Sequence, residues 1–334
     1  MNIIEIKERI SKIVIEGNGY TSDWDNICDI LTNYTKDDIN ELVDYTVNLL
    51  NETDFPWGIR KSPKQWILNA GNGEPRLKIC LWIEFWNAFG DEELKGISQT
   101  NDVENIRFLV LRCENLTSKG LKYLSDSECF KSLASLSISF PGFNMEAIGY
   151  ITGMKSTKKL TSLGLSGCRI NTEMFNMLCR SESLAGLNYL GLNNNLIEDL
   201  AILTDKRNFK LINLTDIVLR ENKLDSKCLN DYVNSPIYPH STRIDFSDNP
   251  IDDEGVKYLL DSPYIKNIEE ICLDSTDIGD EALKAIVNST ELKTRVNVSI
   301  YNTWVSVDYE QIFKAAGFKK NTENGYWVRK RRKK

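Results

Sequence analysis

Apolar residues recur along this chain with one fixed spacing. In the clearest copy, residues 214–224, the frame is L-x-x-I-x-L-x-x-N-x-L, and residues 187–197 carry the same frame 27 positions earlier. The asparagine position is occupied, at steps of 27, by Glu114, Pro141, Cys168, Asn195, Asn222, Asn249, Thr276 and Thr303. A constant period of this length indicates an array of stacked units rather than a globular domain with a single centre.

Each repeat predicts a short strand followed by a helix. Around the two central apolar positions, inward and outward residues alternate as they do in a strand, and such strands stack in parallel about 4.8 Å apart. Segments 118–124, 253–259 and 280–286 open with a serine or with acids, which the positive end of a helix dipole favours. The repeat after Asn195 departs from this pattern, because charged residues 205–207 fall where the helix should be apolar. We expect an irregular or shortened helix there.

Residues 1–104 are predicted to form a helical N-terminal domain that caps the array. The helices expected from apolar spacing and start signals are Ile3 to Ile15, a segment from Ile39, a short one around Trp66, and a last one from Pro75 across residues 77–89. A first repeat without such a cap would expose apolar surface and an unpaired strand edge.

The array itself is predicted over residues 105–307, as a solenoid of eight repeats. Residues 308–334 are predicted to form a small C-terminal cap followed by a basic tail. The cap is expected to be a helix and then a hairpin over residues 318–328, with Asn324-Gly325 at its tight turn.

These repeats resemble leucine-rich repeats of the ribonuclease-inhibitor type. Residues 249–263, which read N-x-I-x-D-E-G-x-x-x-L-x-x-S-P, are similar to bacterial repeats of that class. Residues 75–77 (PRL), with Trp82 and Gly90-Asp91, resemble the companion segment that precedes the array in some of those proteins. The resemblance implies an α/β solenoid with parallel strands on a concave face and helices on a convex face. It also implies that macromolecules bind the concave face, and it implies no shared catalytic residues.

The charge balance narrows the class of partner. The net charge is −7 and the pI is near 5.1, which disfavours binding to the phosphates of nucleic acid. The exception is the basic tail from Arg329 to Lys334, which we interpret as a solvated chain end. Nucleic acid, an anionic membrane surface and nuclear import are the alternatives for this tail.

The sequence favours a cytoplasmic protein without a membrane span. Charged and apolar residues alternate near the N-terminus, where a secretory signal would be continuously apolar, and no apolar run is long enough to cross a bilayer. Eight cysteines without a close pair are expected to be free thiols in a reducing compartment. The alternative localisation is delivery into a host cell.

No catalytic residue, cofactor or metal is predicted. The one histidine, His240, is interpreted as a turn residue, and the sequence contains no phosphate-binding loop, zinc-ligand spacing or nucleophile elbow. A metal held by Asp245, Asp248, Asp274 and Asp277 is the alternative.

The repeated turn position is predicted to be structural. In this motif the asparagine side chain turns inward and bonds backbone groups where the chain leaves the strand, because buried backbone groups need partners. This structural ladder consists of Cys168, Asn195, Asn222 and Asn249. Glu114 and Pro141 depart from the pattern, so the first turns are expected to differ.

Strand residues outside the apolar frame form the candidate partner-binding surface. The candidate contact residues are Arg112, Tyr189, Asp216, Arg220, Arg243, Asp245, Glu270, Asp274 and Tyr301. Arg243 lies between Asp216 and Glu270 on neighbouring strands, so it can pair with both. Asp245 and Asp274 have no predicted partner within the chain. Because exposed tyrosines commonly anchor interfaces, we expect a protein partner. The acids Asp245, Glu270 and Asp274 on this face favour a partner that carries a basic patch.

The sequence as a whole favours a non-enzymatic protein–protein interaction module. The alternative is an enzyme, or a host-targeted bacterial effector, whose N-terminal domain acts while the repeats select the target. Residues 1–104 contain no histidine and no arranged pair of cysteines or acids, which argues against the enzyme.

Overall fold

A computed structural model gives the structure of the chain. The described residues are 2–34, 38–53, 60–70, 74–85, 89–155, 159–292, 296–306, 308–323 and 325–329. The chain forms two compact units, unit 1 (Met1–Ser162) and unit 2 (Leu163–Lys334). The division falls within the array that the sequence predicts over residues 105–307.

Unit 1 opens with four helices, of which all but the second were predicted from the sequence. They are α1 (Ile3–Glu16), α2 (Thr21–Thr32), α3 (Ile39–Glu52) and α4 (Lys64–Asn69). A reciprocal cap begins α1: the Asn2 side chain accepts from Glu5 N, and the Glu5 carboxylate accepts from Asn2 N. Trp24 of α2 is buried, and its indole N–H donates to Lys61 O at 2.8 Å. The helices predicted at Ile3, at Ile39 and around Trp66 are therefore confirmed.

A buried ion pair ties the segment after α4 to the end of α2. Arg76 bonds the Glu74 carboxylate at 2.7 Å and donates to Leu31 O at 2.8 Å and to Tyr34 O at 2.7 Å. A buried guanidinium is tolerated when its charge and donors are met in this way. These bonds hold the 3-10 helix Pro75–Ile79 beside α2.

The first strand of the array comes earlier than the sequence predicts. Residues expected in a helix form β1 (Trp82–Phe85), which pairs in parallel with β2 (Phe108–Arg112). Ile83 and Phe85 are fully buried in this strand. The helix prediction was wrong because pairing with a neighbouring strand overrides local propensity, and the partner lies 26 residues away.

Unit 1 then alternates helices and strands. The elements are α5 (Asp91–Ser98), a 3-10 helix (Asn101–Val103), α6 (Ser118–Asp126), β3 (Ser135–Ser139) and α7 (Met145–Thr152). β2 and β3 pair in parallel over five residues each. Asp91, in the first turn of α5, accepts bonds from Thr117 N at 2.9 Å and Thr117 Oγ1 at 2.6 Å. This acid therefore also caps the start of the next helix along the chain.

Unit 2 repeats the same alternation with shorter strands. After β4 (Ser162–Gly164), at the division between the units, come α8 (Thr172–Cys179), β5 (Tyr189–Gly191), β6 (Asp216–Val218), α9 (Ser226–Val233), β7 (Arg243–Asp245), α10 (Asp253–Asp261), β8 (Glu270–Cys272), α11 (Asp280–Asn288) and β9 (Asn297–Ser299). The 3-10 helices of this unit are Glu182–Leu184, Ala201–Thr204, Tyr238–His240 and Ile265–Asn267. Every strand from β5 to β9 begins at the first outward position of its repeat, which is the residue just before the first of the two central apolar residues. The predicted α/β repeat architecture is confirmed.

Parallel pairing in unit 2 joins β5 to β6, and separately β7 to β8 to β9. Within the described residues of this unit, no strand ladder joins β6 to β7. The last strands are covered by α12 (Tyr309–Ala315) and the hairpin of β10 (Phe318–Lys320) and β11 (Trp327–Arg329). β11 pairs antiparallel with both β10 and β9, so the predicted helix and hairpin are confirmed and the edge of β9 is paired.

The repeat after Asn195 carries only the 3-10 helix Ala201–Thr204, as the sequence predicts. Asp205 then accepts from the backbone N–H of Arg207 at 3.1 Å, within a separate turn that follows the 3-10 helix. The short element leaves a groove of about 550 Å³ beside α9 and α10.

Three predictions extend beyond the described residues. Residues 86–88 of the expected helix, Asn324 of the expected hairpin turn, and residues 330–334 of the basic tail lie outside them.

The cysteines are all free thiols, seven of them buried, with Cys129 partly exposed. Among the helices of the described segments, none combines the length and apolar character that crossing a bilayer requires.

Candidate interaction surface on the strand side

The turns after the strands of unit 2 share a left-handed backbone position. The residue before each repeated turn position has a positive φ: Gly167, Asn194, Glu221, Asp248, Ser275 and Asn302. For the five residues other than glycine, φ lies between 53° and 56°. An L-residue in this region costs about 1–2 kcal/mol, so other contacts must hold the turn.

Asn222 shows how the turn is held. This side chain is 8% exposed, and its Nδ2 donates to Leu192 O and Leu219 O, both at 3.0 Å. Its Oδ1 accepts from Ile197 N at 3.1 Å. One side chain thus satisfies backbone groups of its own repeat and of the preceding one, which would otherwise be buried without partners.

The other ladder positions carry all or part of this task. Asn195 and Asn249 make the equivalent bonds in their own turns. Cys168 donates weakly from Sγ to Ser166 O at 3.7 Å, and Thr276 Oγ1 donates to a backbone carbonyl at 2.7 Å. Because these side chains are buried and engaged, they position the surface rather than contact a partner.

The first outward position of each strand forms a row along the strand side of unit 2. Tyr189 lies in register with Asp216, and Glu270 lies in register with both Arg243 and Asn297. Asp216 is exposed, and Tyr189 is 36% exposed. Burial and the neighbouring Asp216 carboxylate raise the pKa of Tyr189. The tyrosine is therefore a neutral, half-exposed aromatic beside a carboxylate.

Arg243 is held by two acids, but one of them differs from the predicted pair. Its guanidinium lies 2.8 Å from Glu270 Oε1 and 3.1 Å from Asp245 Oδ2. Among the described residues it forms no ion pair with Asp216. The expectation that Asp245 lacks a partner was therefore wrong: the two residues lie on one strand with their side chains on the same side, and the arginine bends back.

Asp274 was also expected to lack a partner, and this expectation was wrong, because its carboxylate accepts two hydrogen bonds. Its Oδ1 accepts from Ser299 Oγ and from Tyr301 N, both at 2.6 Å. This carboxylate holds the last residue of β9 and the backbone two residues beyond it. Its charge is therefore partly satisfied by donors of the neighbouring repeat.

Arg220 is engaged by a residue that the sequence did not single out for this role. Its Nε lies 2.8 Å from Oδ2 of Asp248, one of the left-handed turn residues. This hydrogen bond raises the pKa of Arg220. Arg112, the remaining candidate cation, is exposed at the end of β2 in unit 1.

On the strand side of unit 2, three predicted contact residues are exposed and form no ion pair among the described residues. They are Asp216, Tyr189 and Tyr301. Tyr301 is 71% exposed. The sequence reasoning missed Trp304, which is 75% exposed, and it considered Asp277 only as a metal ligand; the Trp304 indole N–H donates to Asp277 Oδ1 at 2.9 Å. The pair is 27 residues apart, so a search for donors one period after each acid would have found it.

The histidine and the acids singled out from the sequence do not form a metal site within the described residues. His240 is exposed at the end of a 3-10 helix, in line with its interpretation as a turn residue. In the described ranges no group of three or more His, Cys, Asp or Glu side chains could hold a metal ion, and this includes the alternative set of four aspartates.

Comparisons with known proteins agree with the repeat pattern. A family model described as leucine rich repeat matches residues 242–260. No curated protein matches the chain. Similar solved structures include internalin F of Listeria monocytogenes, at 16% identity over 70% of this chain and 58% of that one, with a TM-score of 0.45. This chain therefore spans less than two thirds of that internalin.

Two other solved structures are similar to a comparable degree. Internalin C2 of Listeria monocytogenes is 18% identical over 71% of this chain and 91% of that one, with a TM-score of 0.46. A protein of Bacteroides fragilis is 16% identical over 73% of this chain and 72% of that one, with a TM-score of 0.43. All three scores are too low to compare sites or functions. The matched repeat, the 27-residue period and the strand–turn–helix units identify the chain as a leucine-rich-repeat protein with an α/β solenoid fold.

Proposed function

We propose that the chain is a non-enzymatic protein-interaction module whose partner binds the strand side of unit 2. The observation that carries the proposal is the exposure of Tyr189, Asp216 and Tyr301 beside turns that are held by internal hydrogen bonds. Such turns fix the side chains before binding, which lowers the entropic cost of association. Large exposed aromatics are also the side chains that most often anchor interfaces.

The charges of this surface favour a partner with a basic patch. Arg220 and Arg243 are already paired with acids of the chain, whereas Asp216 has no ion pair among the described residues. The excess of negative charge attracts lysines and arginines of a partner and speeds their encounter. The same charge repels nucleic acid phosphates, so a protein is the favoured partner.

We also propose that the chain works in a reducing compartment, either its own cytoplasm or that of a host cell into which it is delivered. Eight free thiols support this assignment. Residues 1–104 act, in this proposal, as the cap of the array. Their contribution of β1, which pairs along β2, supports that role.

Site-specific photo-crosslinking tests the binding side. A photoreactive amino acid replaces Val218, an outward residue of β6, and in a matched variant it replaces Lys257, an exposed residue of α10. In extract from the source organism, we expect the Val218 variant to give a discrete adduct that an excess of unmodified chain suppresses. The Lys257 variant should give none. Equal adducts from both variants, or no adduct from Val218, would contradict the proposal.

A further inference from the structure

Two large aromatic side chains stand exposed just after β9, the last parallel strand. Tyr301 is 71% exposed and Trp304 is 75% exposed. Most other large aromatics of the described residues are buried or half-buried, because aromatic surface gains most from leaving water. Two exposed rings three residues apart therefore call for a functional explanation.

Both residues are fixed in place by the preceding repeat. Tyr301 N donates to Asp274 Oδ1 at 2.6 Å, and Trp304 N donates to Ile278 O at 3.0 Å. The Trp304 indole N–H donates to Asp277 Oδ1 at 2.9 Å. The Trp304 indole is thus oriented before any partner arrives, and both side chains remain largely exposed. We call Tyr301, Trp304 and Asp277 the aromatic corner.

Elsewhere in the chain, aromatic faces are covered by the chain's own cations. Lys314 and Lys320 lie over Trp327 at 5.9 and 5.8 Å, and Lys61 lies over Trp82 at 5.7 Å. Among the described residues, no lysine or arginine lies over Tyr301 or Trp304. Trp304 is thus an exposed tryptophan without the lysine that covers Trp82 and Trp327.

The chemistry of the corner suits a planar cation. Tryptophan binds cations over its face better than the other aromatics do. A carboxylate that accepts from the indole N–H adds negative charge beside the ring, and Asp277 is itself exposed. A guanidinium can stack on an aromatic face while its fork of donors reaches a carboxylate.

We propose that the aromatic corner is the receptor for an arginine side chain of the partner protein. This inference rests on the proposed function, because it names the chemistry by which that partner is recognised. The guanidinium stacks against Trp304 and donates to the Asp277 carboxylate. Lysine, with a compact and more strongly hydrated charge, binds more weakly at such a site.

The test uses the full chain, isotope-labelled at the tryptophan indoles, and a short glycine peptide that carries two arginines. Matched peptides carry citrulline, which is neutral and similar in shape, or lysine. We expect the arginine peptide to shift the Trp304 indole signal saturably, and to bind several-fold more tightly than either other peptide. Equal binding of the citrulline peptide would overturn the proposal, and equal binding of the lysine peptide would overturn its preference for guanidinium.

Three variants make the test specific. Trp304→Leu should abolish the difference between the arginine and citrulline peptides, and Asp277→Asn should weaken the arginine peptide about threefold, with binding by the variants measured by titration calorimetry. Trp304→Phe keeps a ring and should retain part of the binding, which separates loss of the site from loss of folding. Tyr20→Leu, at a 67% exposed tyrosine of unit 1, is the control and should change nothing. Equal loss in Tyr20→Leu would show nonspecific attraction and overturn the proposal.

The crosslinked partner separates this inference from the proposed function. If Trp304→Leu leaves the Val218 adduct at full yield, the arginine receptor is wrong and the proposed function stands. If the peptide binds as expected but no adduct forms at Val218, the proposed binding side is wrong and the receptor stands.

Discussion

Units 1 and 2 share one 27-residue period, yet they turn the chain from strand to helix differently. In unit 1, β2 is five residues long; the buried residue after it is Cys113, and Glu114 is exposed. In unit 2, β6 is three residues long, Glu221 is exposed, and Asn222 is buried. The buried position of the turn has therefore moved by one residue relative to the repeat.

The two turns also differ in the chemistry that holds them. After β3 in unit 1, Phe140 packs against Phe143 with ring centroids 5.3 Å apart, so apolar contact closes the turn. In unit 2, Asn222 closes it through hydrogen bonds to two repeats and a left-handed residue precedes it. The described turns of unit 1 after β2 and β3 contain no left-handed residue. The turn of a 27-residue repeat can thus be held either by apolar packing or by the hydrogen bonds of the ladder. Only a ladder side chain bonds the turns of two neighbouring repeats at once.

The largest effect is expected where a charge enters the shared apolar frame. Leu219 is 1% exposed, so Leu219→Asp would bury an unpaired carboxylate at a cost of about 3–5 kcal/mol. Val218→Asp places the same charge at the neighbouring outward residue of β6 and should cost less than about 1 kcal/mol. Urea unfolding of both variants measures the difference. Similar midpoints would show that the inward and outward positions of this repeat are misassigned.

Substituting the same repeat position in each unit tests whether the two units hold their turns differently. Asn222→Ala leaves several buried backbone groups without partners and should cost about 2–4 kcal/mol. Glu114→Ala, four periods earlier and at an exposed side chain, should change the free energy of unfolding by less than about 0.5 kcal/mol. Both are read from urea unfolding curves. Equal costs would mean that the two turns are held in the same way after all.

A smaller effect is expected at the left-handed position. Glu221→Gly removes a steric cost of about 1–2 kcal/mol and adds a glycine entropy cost of about 0.5–1 kcal/mol, so it should stabilise by about 0.5 kcal/mol. Glu114→Gly, outside the left-handed region, should destabilise by about 0.5–1 kcal/mol. The sign of the shift in thermal midpoint decides: destabilisation by both variants would argue against a strained turn in unit 2.

Thiol labelling gives the mildest contrast. The thiols of unit 2 are buried, and burial raises the pKa of Cys228 and of Cys272 to about 12, so few thiolates form near neutral pH. Partly exposed Cys129 of unit 1 should react first with iodoacetamide, and Cys129→Ser should remove that fast phase. Mass spectrometry of the labelled chain measures the order. Fast labelling in unit 2 of the native chain would mean that its turns open readily.

Much of the fold could be predicted from the sequence because the period is strict. Inward leucines and outward residues alternate from fixed positions, so the positions of β5 to β9 followed from spacing. Charged residues 205–207 predicted the shortened helix of their repeat, and Asn324-Gly325 predicted the closing hairpin. β1 could not be predicted, since Trp82–Phe85 lacks the repeat frame and becomes a strand only by pairing with β2.

The candidate site was less predictable because its polar contacts do not all follow the period. The bonds of Asp274 to Tyr301 and of Asp277 to Trp304 each cross 27 residues, whereas Arg243 turned to an acid two residues away. Which acid a long arginine reaches depends on side-chain rotamers, and the backbone pattern does not specify these. The sequence therefore identified the surface but not which of its charges are already satisfied.

A matched pair of charge reversals tests most directly the proposal that the partner binds the strand side of unit 2. Asp216→Lys changes an exposed strand residue, and Glu173→Lys changes an exposed residue of α8 by the same charge; neither has an ion pair among the described residues. Once the partner has been identified from the Val218 adduct, its association with the unmodified chain and with each variant is measured by stopped flow across a range of salt concentrations. We expect Asp216→Lys to slow association about tenfold at low salt and to flatten its salt dependence, and Glu173→Lys to leave both near wild type. Equal effects from the two variants, or none from Asp216→Lys, would contradict the assignment of the binding surface.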